Sequence, residues 1–266
     1  EKFAGLTTAQ ANVAIAEHLK ETGALFALQN IIHQYPHCWR CKNPVLFRAT
    51  EQWFCSVDAI KDQAVDAINQ VKWYPGWGKD RITSMVRERN DWCISRQRRW
   101  GVPIPIFYCK DCGEPLISRE SMAAVAELFR TEGSDQWYVK DASEILPAGT
   151  HCAKCGGSSF TKERDIMDVW FDSGVTHAAV CDQREELTWP ADMYLEGADQ
   201  YRGWFQSSLL TAVAWRGTAP YKEVVTHGWV VDGEGRKMSK SLGNGIDPQE
   251  IIDQYGADIL RLWVAS

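Results

Sequence analysis

No apolar run in this chain approaches the roughly 20 residues that cross a bilayer as a helix, and the N-terminus lacks the basic-then-apolar pattern of a secretory signal. No membrane association is expected. Positive charge is also scarce: 29 Lys and Arg against 35 Asp and Glu leave a formal net charge of −6. That argues against a uniformly basic nucleic-acid clamp, although a local patch such as Arg96-Gln97-Arg98-Arg99 can act within an acidic whole. Internal repeats and low-complexity tracts are absent. What is present is ordinary for a soluble globular protein, with 45% apolar and 24% charged residues, and 266 residues suffice for one large domain or two smaller ones. The 13 tryptophans suggest a wide core or aromatic-lined clefts. Nine cysteines without signs of secretion point to metal more than to disulfides.

Apolar periodicity predicts helices over 9–22, 60–71, 79–88 and 121–130, and strands over 24–33, 45–48, 53–56 and 102–108, the last despite Pro103 and Pro105. Cysteine turns and a polar stretch rich in Gly and Asp mark the segment from Cys109 to about Arg164 as an insertion, expected to have little core of its own. A strand-loop-helix rhythm returns from Asp168, through Tyr194-Leu195, 203–215 and 224–231.

Cys109-Lys-Asp-Cys112-Gly and Cys152-Ala-Lys-Cys155-Gly are two knuckles, each with two residues between thiols and a glycine after them. The glycine lets the backbone turn its N–H groups toward the sulfurs, and four thiolates close a tetrahedral structural zinc site that has no open position for catalysis. Cys38 and Cys41 form a third knuckle without a fourth. His33 and His37 are near enough to act as ligands, but a packed histidine or a partner knuckle outside this chain explains the pair as well. Cys55, Cys93 and Cys181 read as buried, inert thiols.

Lys237-Met-Ser-Lys-Ser241 lies in a Gly-rich loop between a β-branched run over 223–231 and a helix opened by Asp247-Pro248, with Glu250 completing a workable cap. Two ammonium groups and two hydroxyls in five residues make a cationic clamp suited to a polyphosphate, and lysines and serines in a solvated turn are the plain alternative. A loop between a strand's carboxyl end and a helix is where open α/β sheets bind ligands.

Six segments occur in order: Trp92-Cys-Ile-Ser-Arg-Gln-Arg-Arg-Trp-Gly101, Asp168-Val-Trp-Phe-Asp-Ser-Gly174, Tyr194-Leu-Glu-Gly-Ala-Asp-Gln-Tyr-Arg-Gly-Trp-Phe205, Thr226-His-Gly-Trp-Val230, the Lys-Met-Ser-Lys-Ser loop and Gly256-Ala-Asp-Ile-Leu-Arg-Leu-Trp263. Together they resemble the catalytic half of the class I aminoacyl-tRNA synthetases and, within the class, the bacterial-type isoleucyl family. The Leu-Glu-Gly-x-Asp-Gln run ending in Arg-Gly-Trp-Phe tilts the resemblance toward isoleucine. The resemblance implies an α/β fold: the second half of a Rossmann-type parallel-sheet nucleotide-binding domain with an inserted four-cysteine zinc ribbon. It divides the chain into 1–44, the trailing end of an inserted editing domain; 45–106 and 165–247, the catalytic domain; 107–164, the zinc ribbon; and 248–266, the start of a helical domain. The family's His-x-Gly-His loop is not found in this sequence, so the chain is expected to be a partial catalytic domain, inactive by itself. A cysteine pair earlier in some family members would complete the Cys38/Cys41 knuckle.

The implied reaction is ATP-dependent activation of isoleucine to an adenylate, with Mg2+ accompanying ATP, followed by transfer to tRNA(Ile) in the cytoplasm by an enzyme monomeric at full length. By resemblance, Lys237 and Lys240 meet the phosphates with Ser239 beside them. Glu196 takes the substrate ammonium or ribose side, with Gly197, Asp199 and Gln200 as neighbours. His227 and Gly228 line the adenine side. Trp170 and Trp204 either wall the pocket or belong to the core. Arg96, Gln97 and Arg98 fit either the tRNA acceptor end or a solvated charge run. The competing readings are a valine-specific relative and a non-catalytic, zinc-held nucleic-acid-binding module.

Overall fold

The computed structural model describes residues 2–38, 41–239 and 242–266. The chain divides into two compact units, 1–51 and 52–266. In the first, helix α1 (Thr8–Glu21) starts at Thr7, whose side chain accepts the Gln10 N–H while the Gln10 side chain accepts the Thr7 N–H. This reciprocal cap satisfies two of the helix's orphan donors. The strands expected over 24–33 and 45–48 do not form among the described residues. A strand needs a neighbour to supply its ladder, and here pairing is confined to an isolated bridge between His37 and Pro44, leaving Phe26 and Ile32 fully exposed.

The second unit runs β1 (Phe54–Cys55), α2 (Lys61–Gln70), β2 (Lys72–Tyr74), α3 (Trp77–Arg87), β3 (Trp92–Cys93), β4 (Ser95–Arg96), β5 (Phe107–Cys109), β6 (Pro115–Leu116) and α4 (Arg119–Glu132). It continues through α5 (Gln136–Val139), α6 (Ala142–Ile145), β7 (Phe160–Lys162), β8 (Ile166–Met167), α7 (Val169–Gly174), β9 (Ala191–Gly197), α8 (Trp204–Arg216), β10 (Tyr221–His227), α9 (Pro248–Tyr255) and α10 (Ala257–Ala265). Its centre is a three-stranded parallel sheet in the order β2-β10-β9. Helix α8 connects β9 to β10 and is buried around Phe205, Leu209, Leu210 and Val213, as an interior crossover helix must be. Ala64, Val65, Ala67 and Ile68 of α2 and Ile82 and Val86 of α3 join Trp73, Tyr201, Tyr221 and Val224 in the same core.

Two expected strands are shorter than their apolar runs. Between 102 and 106 the chain is bonded to 163–167 through Val102, Ile104 and Ile106, around a Pro103–Ile166 bridge, and regular strand begins only at β5; Pro103 and Pro105 leave the opposite edge without N–H donors. The run over 223–231 splits: β10 stops at His227, and Val231 instead pairs across a hairpin with Lys237. The hairpin is drawn back by Asp232, whose carboxylate accepts from the Glu234 and Arg236 N–H groups and from Asn244 Nδ2.

The insertion has a core of its own, contrary to expectation. The antiparallel sheet β6-β5-β7 packs with α4 around Trp137, which is enclosed by Phe107, Val125, Leu128, Ile145 and Phe160. Trp137 donates its indole N–H to the Glu163 carbonyl at 3.0 Å, so its polar end is satisfied as well.

Candidate nucleotide site and metal centre

The sulfurs of Cys109, Cys112, Cys152 and Cys155 all lie within 4.8 Å of one another. Cys109 and Cys155 are 3.5 Å apart and Cys112 and Cys152 3.6 Å, with no disulfide among them. Ligands at about 2.3 Å from a tetrahedral zinc ion stand about 3.8 Å from one another, so the four thiols fit that ion. In each knuckle the N–H after the second cysteine donates to the first cysteine's carbonyl, Gly113 to Cys109 and Gly156 to Cys152, both at 2.9 Å. Those glycines have φ of 73° and 77°, a left-handed turn that a Cβ would strain.

The thiols do not ionise alike. Backbone N–H groups of Cys155 and Lys154 pull Cys152 down to about 7. The Gly157 N–H also favours the Cys155 thiolate, but sharing protons with the Cys112 and Cys109 sulfurs outweighs it and pushes Cys155 up to about 12. Holding all four as thiolates at this spacing would take a cation to neutralise them.

The described residues around the third knuckle make the same pair of bonds, Trp39 and Arg40 lying outside them. The Lys42 N–H donates to the Cys38 carbonyl at 2.8 Å, the Cys38 N–H to the Asn43 carbonyl at 2.8 Å, and Lys42 has φ 62°. In the first two knuckles the matching second bond runs from Cys109 to Glu114 at 2.9 Å and from Cys152 to Gly157 at 2.8 Å. His33 and His37 hold backbone carbonyls through Nδ1, and among the described residues they form no ligand group with Cys38 and Cys41.

Parallel pairing brings the proposed nucleotide residues to one edge. Thr226 stands opposite Glu196 and His227 opposite Gly197, both at the carboxyl ends of their strands. Glu196, His227 and Gly228 are exposed on this face. A Cβ on Gly197 would lie 3.0 Å from the Trp229 ring and 3.4 Å from the His227 ring, so glycine permits the two strand ends to close up. Tyr201, fully buried, shares a 2.7 Å hydrogen bond with Thr226 and ties β10 to the segment after β9. Gln200 accepts the Trp204 N–H through Oε1 at 2.8 Å, capping α8, and its Nε2 reaches Asp199 at 3.5 Å.

The lysine loop folds back beside this edge. Asn244 accepts the Ser239 N–H at 2.9 Å and donates to Asp232 at 2.8 Å, closing the loop across its base. The Lys237 ammonium lies 3.1 Å from the centroid of the Trp229 ring. Lys240 and Ser241 lie outside the described residues.

Trp204 stacks on Tyr194, with centroids 3.9 Å apart, and donates its N–H to the Ser173 carbonyl, whereas Trp170 is half-exposed. Arg96 is held: it pairs with buried Asp168 at 3.2 Å, and Trp92 donates to the same carboxylate at 2.9 Å. Gln97 is bound to Gln52 and Asp165. Sequence reasoning missed Trp229, Asp232 and Asn244. An Asx residue ahead of the Gly233/Gly235 punctuation was the available signal for Asp232.

A separate apolar cavity of about 530 Å³, lined by Val57, Ile60, Trp92, Phe171, His177 and Leu210 among others, contains none of the residues predicted from the sequence to bind nucleotide or metal.

The fold is thus an α/β unit built on a parallel sheet, with a lysine loop after β10 and a four-cysteine insertion. The model for the tRNA synthetases class I (I, L, M and V) matches residues 4–266, and the chain belongs to that family. Within it, the chain is 65% identical over 264 residues to the isoleucine–tRNA ligase of Caldanaerobacter subterraneus subsp. tengcongensis, covering 99% of this chain and 28% of that protein. It is 65% identical over 265 residues to the isoleucine–tRNA ligase of Natranaerobius thermophilus, covering 100% of this chain and 28% of that protein. The chain thus spans about 28% of the length of the curated relatives it matches. Mycobacterium tuberculosis methionyl-tRNA synthetase bound by methionyl-adenylate shares the fold, with a TM-score of 0.54 at 20% identity over 88% of this chain and 37% of that one.

Proposed function

We propose that the chain is part of the catalytic core of an isoleucine–tRNA ligase. In the proposed reaction the isoleucine carboxylate attacks the α-phosphate of ATP, releasing pyrophosphate, and the acyl group then passes to the terminal adenosine of tRNA(Ile). The observation that carries this reading is the parallel register that sets Glu196 and Gly197 beside Thr226 and His227, with the lysine loop folding back next to them.

In this reading Glu196 takes the substrate ammonium or ribose side. His227 and Gly228 line the adenine, and Asp199 and the Nε2 side of Gln200 complete the rim. Lys237 and Lys240, with Ser239, neutralise the phosphates, a task in which positioning and charge stabilisation carry the rate. Mg2+ accompanies ATP. Zinc, held by Cys109, Cys112, Cys152 and Cys155, supplies structure and no chemistry. Cys38 and Cys41 form half of a second such site. The reading carries with it a cytoplasmic setting and a monomeric full-length enzyme. It also assigns residues 1–44 to an editing domain, 107–164 to the zinc ribbon and 248–266 to a following helical domain.

Calorimetry with non-hydrolysable isoleucyl and valyl adenylate analogues tests the reading. The isoleucyl analogue is expected to bind, and Glu196→Ala to weaken it. The valyl analogue should bind less tightly by about 1–3 kcal/mol, the general worth of one methylene in an apolar pocket, for which isoleucine against valine in this type of enzyme is the standard example. Absence of binding, or a preference for the valyl analogue, contradicts it.

A further inference from the structure

Three pieces of the proposed nucleotide face come from separate segments: the end of β9, the end of β10 and the lysine loop. Trp229 touches all three. Its ring lies close to Gly197, where a Cβ would come within 3.0 Å of it, and stands edge-on to His227 with centroids 6.4 Å apart. Its face carries the Lys237 ammonium at 3.1 Å from the centroid. Among the described residues Lys237 has no carboxylate partner, although Asp232 and Glu234 stand in the same loop; both are engaged by Arg236. The loop backbone is fixed independently through Asp232 and Asn244. The indole is therefore what sets the direction of the Lys237 side chain.

We propose that Trp229 is a positioning residue that acts through Lys237, holding its ammonium at the phosphate side of the face before ATP arrives; this rests on the function proposed above. A lysine side chain has several rotatable bonds, and ordering it when ligand binds is costly. An ammonium seated on an aromatic face is already ordered by the ring quadrupole, while its N–H groups directed away from the ring stay available to phosphate oxygens. An acidic partner in the same place would compete with the phosphates for the charge. An aromatic ring does not.

The test uses the chain with 13C-labelled lysine, the Lys237 signals being identified by Lys237→Arg. Ring-current shielding should move the Lys237 ε-protons upfield in the native chain, vanish in Trp229→Leu and persist in Trp229→Phe. By calorimetry, Trp229→Leu should weaken ATP about two- to five-fold, the worth of an exposed cation–π contact, while adenosine binding stays unchanged. Trp229→Phe should restore most of the ATP affinity. In a Lys237→Met background, Trp229→Leu should have no further effect on ATP. Unshifted Lys237 protons overturn the proposal. So does equal weakening of ATP and adenosine, which would make Trp229 a wall for the base, and so does an undiminished effect of Trp229→Leu without the lysine. Should the native chain bind neither nucleotide, the proposed function fails, while the ring-current measurement still decides whether Trp229 holds Lys237.

Discussion

His177 illustrates how a single side chain's hydrogen bonds fix its charge. The Trp189 indole, a donor only, gives its N–H to Nδ1 at 3.1 Å, so that nitrogen must accept. Nε2 then carries the proton and meets Thr211 Oγ1 at 3.1 Å. The imidazole is neutral, and burial, with the nearby Arg216 guanidinium, pushes it down to about 4, against the opposing pull of Asp182. The unfolded chain, titrating near 6.5, binds the proton first. Stability is thus fully present above about 6.5 and declines as pH falls toward 4. Urea titrations at pH 7.5 and 5 should show a lower midpoint in acid, and a smaller drop for His177→Gln. An equal drop in the variant would assign the acid sensitivity to other groups. Nothing in the sequence marked this histidine, because its partners, Trp189 ahead of β9 and Thr211 on α8, meet it only in the fold.

Elements with a periodic signal were legible in the sequence. Helices α2 and α3 follow their apolar faces closely, since local periodicity and burial agree there, whereas α8 is buried nearly all round and has no such face to read. The extended segments were less so. A run such as 24–33 has strand composition, yet strand formation depends on a partner that composition cannot reveal. The four-cysteine cluster was legible because ligand spacing is a local property, whereas the insertion's own core was not, since Phe107, Val125, Trp137 and Phe160 are far apart in sequence and meet only in the fold. That core allows a separation of effects. Cys152→Ser is expected to lose zinc by metal analysis and to speed amide exchange near 109–116 and 150–160, while exchange in β9 and β10 stays unchanged. Retained zinc would exclude the four-thiol site; faster exchange throughout the parallel sheet would show that the ion supports more than the insertion.

At the scale of the whole second unit, the fold converts a sequence-distant set into one face. The Leu-Glu-Gly and Thr-His-Gly-Trp segments were recognisable individually, but the pairing of Glu196 with Thr226 and of Gly197 with His227 is a property of the parallel sheet. The same holds for Trp229, whose proposed role rests on its lying next to Gly197 and beneath Lys237. The measurement that tests the account most directly is a 15N–1H correlation spectrum of the chain titrated with a non-hydrolysable isoleucyl adenylate analogue. Shifts should concentrate at 196–200, 226–229 and 237–239, where the strand ends and the lysine loop meet. Unchanged spectra, or shifts gathered in the four-cysteine insertion with the strand ends unaffected, would be the opposite result.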